Sequence, residues 1–81
     1  MSTPIEQVVQ LLAREIPRLS LLTITRTFGD LGVDSLALLK LRTGIERILG
    51  FEFSDREWSA VQTPADLLQL VDRKIFRRPH S

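Results

Sequence analysis

The chain must hold 81 residues in one fold without any cysteine. Disulfides and thiolate metal sites, on which many small domains depend, are therefore excluded. The single histidine, His80, lies beside Pro79 near the end of the chain, so we expect no imidazole metal site either. A domain of this length buries only a modest core, and regular helix packing is the remaining source of stability. The composition therefore favours an all-α protein.

The first predicted helix begins at Thr3-Pro4-Ile5-Glu6, where a capping threonine precedes proline and a glutamate can complete a capping box. It ends near Ile16, because Pro17 lacks an amide donor and its ring would clash with the preceding turn. Apolar residues at helical spacing form one stripe that we expect to face the core, namely Ile5, Val8, Val9, Leu12 and Ile16.

A long connection, residues 18–33, follows without a sustained helical period. Loops of this length in compact domains are usually functional or packed by their own side chains, so we expect Leu22, Ile24 and Phe28 to lie on the core. Threonines alternate with apolar residues in this connection, as in a strand, but the sequence offers no second such run to pair with it. We therefore predict a packed loop and no sheet.

The second predicted helix runs from about Ser35 to Leu49, with Asp34 as its cap and Gly50 as its left-handed stop. Gly44 in its interior costs about 1 kcal/mol relative to alanine, which the close approach of a neighbouring helix could offset. The residues expected to face the core are Leu38, Leu41, Ile45, Ile48 and Leu49.

Two further helices complete a small bundle of three main helices and one short one. The segment Ser54-Asp55-Arg56-Glu57 is a second capping box and opens a short helix that reaches about Ala60, with Trp58 and Val61 as buried contacts. Thr63-Pro64 begins the last helix. Its predicted inward stripe is Leu67, Leu68, Val71 and Ile75.

We predict a single domain of residues 1–81, with a core from about 4 to 76 and a short basic tail at 77–81. The net charge of +1 makes no general case for nucleic-acid binding. No stretch is long and apolar enough to span a membrane, and the first four residues do not form a signal peptide. We therefore expect a cytoplasmic monomer without a nucleic-acid or membrane partner. The intact start and short tail favour a free-standing protein, and a domain excised from a longer chain is the alternative.

The junction at Asp34-Ser35 would place a serine hydroxyl at the start of the second helix. A serine nucleophile needs a nearby base, but His80 is remote and Lys40 is the only lysine near Ser35 in sequence. Gly29 and Gly32 lead into no phosphate loop of the nucleotide-binding kind. We therefore expect no catalysis by the chain itself. Taken alone, Asp34 and Ser35 would be ordinary capping residues.

The stretch around Ser35 resembles the attachment-site motif of acyl carrier proteins and reads Phe28-Gly29-Asp30-Leu31-Gly32-Val33-Asp34-Ser35-Leu36. The likeness extends from about Ile5 to Ile75, because the long first loop and the spacing from Ser35 to Phe53 and Thr63-Pro64 also fit the family. It implies that Ser35 carries 4'-phosphopantetheine, whose thiol holds acyl groups as thioesters. Asp34 would take part in the transferase reaction.

The resemblance also implies partners: a phosphopantetheinyl transferase, and enzymes that load, condense or transfer acyl groups. They would dock on the second helix, where Leu36 and Leu39 lie off the core stripe. With the charged and polar residues of that helix, the expected docking surface is Leu36, Leu39, Lys40, Arg42, Thr43 and Arg47.

The second helix departs from carriers of bacterial fatty acid synthesis, which are typically acidic there. It bears three basic residues against Glu46 alone, and Thr43 replaces a larger apolar residue. Leu41-Arg42 and residues 62–65 look more like carriers of polyketide and related specialised pathways. An aminoacyl or peptidyl carrier is an alternative. So is an unmodified helical interaction module, whose binding would survive Ser35→Ala.

Overall fold

A computed structural model describes residues 3–76 of the chain, and the basic tail with His80 lies outside these residues. Four helices follow in order: α1, Pro4–Glu15; α2, Ser35–Leu49; α3, Asp55–Ser59; and α4, Pro64–Phe76. Residues 3–76 contain no strand, so the predicted all-α bundle with a short helix before the last is confirmed. None of these helices is long and apolar enough to cross a membrane.

The first helix begins at its predicted cap, although the capping box there is incomplete. Thr3 Oγ1 accepts a hydrogen bond from the Glu6 amide at 3.2 Å. The Glu6 carboxylate accepts from the Thr3 hydroxyl at 3.0 Å, whereas in a full capping box it would accept from the Thr3 amide. The helix ends after Glu15 with Ile16 as its C-cap, as expected.

The short helix α3 begins with a complete capping box formed by Ser54 and Glu57. The Glu57 carboxylate also accepts a hydrogen bond from Lys74 Nζ at 2.8 Å, which ties α3 to α4. The pKa of the Glu57 carboxyl lies below its ordinary value, chiefly because of the Lys74 hydrogen bond and then because of the Ser54 amide. This helix of five residues is thus held by its cap and by its neighbour.

The core forms where α1 packs against α2 and α4. Its buried members are Val8, Leu12, Ile16, Phe28, Leu31, Val33, Leu41, Ile45, Leu49, Phe53, Leu67, Leu70 and Val71. Most of the predicted inward residues are buried or packed against this cluster. The prediction was wrong for Val9, which is 45% exposed, and it missed Leu70.

The approach of α1 to α2 at Gly44 explains which side of α1 is covered. A Cβ at Gly44 would lie 2.8 Å from Cδ2 of Leu11, so a larger residue there would force Leu11 to move. Leu11 packs against the core from this side, while Val9 is 45% exposed. The expected close approach at Gly44 is therefore confirmed.

The connection between α1 and α2 is fastened to the core, but not by all the predicted residues. A turn closes between Ser20 and Thr23, whose hydroxyl accepts the Ser20 amide at 2.9 Å. Leu21 and Leu22 form the tip of this turn, and Leu22 is 90% exposed, which contradicts its predicted burial. Phe28 is buried as predicted, with 3% of its surface exposed.

Two backbone hydrogen bonds join this loop to the segment between α3 and α4 and to the first turn of α4. The Phe28 amide donates to the Gln62 carbonyl at 3.0 Å, and the Ala65 amide donates to the Ile24 carbonyl at 2.9 Å. Asp66 and Thr63 cap the start of α4 reciprocally, which steadies the same segment. The loop is therefore an ordered part of the bundle.

We expect Phe28→Ala to lower the free energy of unfolding by about 3 kcal/mol, because it removes a buried ring and leaves a cavity. The matched control in the same loop is Leu22→Ala, which should change it by less than about 0.5 kcal/mol because Leu22 is exposed. Urea denaturation followed by circular dichroism measures both. Equal losses in the two variants would contradict the structure of the loop.

Candidate functional site at the start of α2

The segment that leads into α2 is held by buried side chains on both sides of a tight turn. Phe28, Leu31 and Val33 are buried, and the Val33 amide donates to the Phe28 carbonyl at 2.9 Å. Gly32 lies between them with φ of +78°, a left-handed conformation that glycine adopts without strain. This turn fixes the position from which α2 starts.

Ser35 is the first residue of α2 and is exposed. Asp34 caps the helix, since its Oδ1 accepts the Ala37 amide at 2.8 Å and its carbonyl accepts the Leu38 amide at 2.9 Å. Among residues 3–76, the amides of Ser35 and Leu36 have no hydrogen-bond partner. The exposed hydroxyl therefore stands beside two free donors at the positive end of the helix dipole.

This arrangement suits an attached phosphodiester. Free amides and the helix dipole stabilise negative charge close to the hydroxyl. Within the described part of the chain, no cluster of three His, Asp or Glu side chains could hold a metal ion. The Asp34 carboxylate uses one oxygen for the cap and leaves the other available to a second protein.

Five of the six residues predicted for docking lie along one exposed stripe of α2. At 3.6 residues per turn they fall within about 100° of arc. We call this the docking stripe, and it consists of Leu36, Leu39, Lys40, Thr43 and Arg47, all of which are exposed. The buried residues Leu41, Ile45 and Leu49 lie on the opposite side of the helix. The stripe begins one residue after Ser35.

Arg42, the sixth predicted docking residue, is turned toward α3, away from the docking stripe. Its side chain is only 20% exposed. Nη2 donates to the Phe53 carbonyl at 2.7 Å and Nη1 to Asp55 Oδ1 at 3.2 Å, while the guanidinium lies 5.7 Å from the centre of the Trp58 ring. Its charge is therefore paired with groups of the fold itself.

Glu46, one turn after Arg42, completes this contact. Its Oε2 accepts the Phe53 amide at 2.7 Å and Arg42 Nε at 3.4 Å. The two side chains thus bind both the amide and the carbonyl of Phe53, whose ring is buried against Trp58. The i,i+4 spacing of Arg42 and Glu46 is a visible sequence signal for an ion pair. The Phe53 backbone contact was not predicted.

A family model described as the phosphopantetheine attachment site matches residues 6–71. The chain belongs to this family. The match covers all of α2 and α3 and most of α1 and α4, so it includes every described residue of the candidate site. Membership agrees with the predicted resemblance to carriers of phosphopantetheine and with the helical bundle.

Individual relatives are similar over part of the chain. An acyl carrier protein of Coprothermobacter proteolyticus is 33% identical over 50 residues, which are 62% of this chain and 61% of the relative. An anthracycline acyl carrier protein of Streptomyces peucetius is 41% identical over 51 residues, 63% of this chain and 61% of the relative. The granaticin polyketide synthase acyl carrier protein of Streptomyces violaceoruber is 46% identical over 46 residues, 57% of this chain and 54% of the relative. The chain thus spans about three fifths of the length of the Coprothermobacter and Streptomyces peucetius relatives.

We expect Arg42→Met to lower the free energy of unfolding by about 1–3 kcal/mol, because it leaves the Phe53 carbonyl and Glu46 without their partner. Lys40→Met removes the same charge from an exposed position of α2 and should cost less than about 0.5 kcal/mol. Thermal and urea unfolding measure the difference. A pair of variants with unchanged stability would contradict a structural role for Arg42.

Proposed function

We propose that this chain is an acyl carrier whose Ser35 hydroxyl bears 4'-phosphopantetheine, and that its cargo belongs to a polyketide or related specialised pathway. The observation that carries the proposal is the exposed hydroxyl at the start of α2, beside two free amides, in a chain of the phosphopantetheine attachment family. The names of the anthracycline and granaticin relatives support the class of pathway.

The residues around Ser35 fit such a group. The Ser35 oxygen would form the phosphodiester, and the neighbouring amides and helix dipole would stabilise its charge. When bound, the group supplies a terminal thiol that holds an acyl chain as a thioester. The chain's own part is to fix the attachment point on an ordered helix and to keep the tethered group at high effective concentration for each partner.

Partner enzymes would act on the tethered group, because the lysine nearest Ser35 in sequence, Lys40, lies about 140° away around α2 and no histidine is near in sequence. We propose that they contact the docking stripe, with Leu36 and Leu39 as the apolar part. These side chains are 63% and 57% exposed and lie within about one turn of Ser35. The expected partners are a phosphopantetheinyl transferase and enzymes that load, condense or transfer acyl groups. A monomeric state and a cytoplasmic location stay predictions.

Co-expression with a broad-specificity phosphopantetheinyl transferase should add the mass of one 4'-phosphopantetheine to the intact protein. Ser35→Ala should abolish the addition, whereas Ser59→Ala, which removes an exposed serine from α3, should leave it unchanged. Intact-protein mass spectrometry measures both, and circular dichroism checks the fold. An unmodified wild-type protein would favour the interaction module, and a modified Ser35→Ala variant would move the site.

Two substitutions of Asp34 separate its cap from its part in the transferase reaction. Asp34→Asn should keep stability within about 0.5 kcal/mol, since asparagine caps helices as well as aspartate, while Asp34→Ala should cost about 1 kcal/mol. We expect both to slow modification at least about tenfold, which is about 1.4 kcal/mol of barrier, because both remove the carboxylate. Unfolding curves and modification time courses give the two quantities. Normal modification of Asp34→Asn would limit Asp34 to capping.

Leu39→Asp should slow transfer to and from partner enzymes at least about tenfold, because a charge on the docking stripe opposes apolar contact. Stability should change by less than about 0.5 kcal/mol, since Leu39 is mostly exposed. The control is Val9→Asp, which places the same charge on an exposed apolar position of α1. Steady-state rates with one partner test this. Equal effects of both variants would remove the docking stripe from the proposal.

A further inference from the structure

We infer that the docking stripe binds a protein surface on which carboxylates lie beside an apolar patch. The inference rests on the proposed function and adds the chemistry of the partner. It depends on which charged side chains of α2 are paired within the fold and which are not. It also depends on where the free charges lie relative to the exposed leucines.

The only acidic residue of α2 is paired within the fold. Glu46 is bound to Arg42 and to the Phe53 amide, and its side chain is 19% exposed. Arg42 is bound to the same backbone and to Asp55, so this pair adds neither a free anion nor a free cation to the outer face. The first turn of α2 holds no acidic residue either.

The charges that remain on the docking stripe are both positive. Lys40 and Arg47 are exposed, and neither has an ion-pair partner within 4.0 Å among residues 3–76. Arg47 shares a shallow depression at the end of α2 with two acidic residues, Glu46 and Glu52. Glu46 is bound to Arg42 and to the Phe53 amide, whereas Glu52 lies beside the stripe and is exposed. The stripe itself therefore presents two cations and no anion, and carboxylates on a partner would complement it.

The apolar part of the docking stripe lies at its Ser35 end, and both cations follow it along α2. Leu36 and Leu39 are each more than half exposed. The Thr43 hydroxyl donates to the Leu39 carbonyl at 3.0 Å, so Thr43 offers a partner mainly its methyl group. From Leu36 to Arg47 the stripe is about 17 Å long, and its apolar end adjoins Ser35. A partner seated on it would thus lie beside the attachment point.

A protein surface fits this stripe better than an anionic membrane does. Each lysine or arginine near an anionic bilayer contributes about 1 kcal/mol, so Lys40 and Arg47 together supply only about 2 kcal/mol. Two leucines give little apolar area for insertion between lipids. On a protein, by contrast, an apolar patch can cover the leucines while fixed carboxylates meet each cation at short range.

The test uses the unmodified full chain and two synthetic amphipathic helical peptides with the same leucine face, flanked by glutamate in one and by lysine in the other. Titrations followed by two-dimensional amide NMR report both affinity and site. The glutamate peptide should bind at least about tenfold tighter than the lysine peptide at low salt, with shifts in 36–47. The preference should shrink as salt screens the charges.

The charge-reversed variant Lys40→Glu/Arg47→Glu should prefer the lysine peptide. The matched control Arg26→Glu/Arg73→Glu makes the same change in net charge at exposed positions outside the docking stripe, and it should keep the wild-type preference. Equal affinity for both peptides, no binding of the glutamate peptide, or shifts outside α2 would overturn the inference. So would a control variant that reverses the preference as completely as the stripe variant.

A last arm uses vesicles of phosphatidylserine and phosphatidylcholine at physiological salt. Vesicle binding that is tighter than binding of the glutamate peptide would overturn the inference in favour of a membrane surface. Because these titrations need no prosthetic group, they stand apart from the modification of Ser35. A failed modification would remove the proposed function alone, and a lost peptide preference with normal modification would remove only the partner chemistry.

Discussion

The attachment of the first loop to the segment between α3 and α4 is the constraint on which the rest of the site depends. The loop contributes no helix or strand of its own. The buried Phe28 ring and the hydrogen bond from the Phe28 amide to the Gln62 carbonyl nevertheless fix it to the segment between α3 and α4. Leu31 and Val33 then continue the same anchoring up to Asp34. A capping residue alone would orient a helix end, whereas this loop also fixes where that end lies.

The helices and their caps could be predicted from sequence because both are local. Thr3 and Asp34 each precede an apolar run at helical spacing, Ser54 opens a capping box, and each of the three accepts the expected amide. The loop was harder, since Leu22 and Phe28 are equally apolar and neither lies in a periodic segment. Which one is buried depends on the Ser20–Thr23 turn and on contacts with a distant part of the chain. No local pattern encodes the distant contacts.

The same limit applies to the candidate site. Ser35 and Asp34 stand out from the motif, and the exposed positions of α2 follow from helical periodicity. Arg42 looked equally suitable for docking by charge and by position in sequence. It lies on the side of α2 nearest α3, where it donates to the Phe53 carbonyl. Without Arg42 and Glu46, the carbonyl and amide of Phe53 would lack these hydrogen bonds. The assignment of Arg42 required the position of the α2–α3 connection, which is a tertiary property.

The division of α2 into two chemical sides has a consequence for exchanging specificity between carriers. The residues proposed to meet other proteins and the residues that hold Phe53 share the helix but have no hydrogen bond or ion pair in common within residues 3–76. If the docking proposal holds, transplanting positions 36, 39, 40, 43 and 47 from another carrier would change the partners of the protein without disturbing its scaffold. A transplant of the whole helix would carry away Arg42 and Glu46 and would have to bring a replacement anchor for the segment that follows.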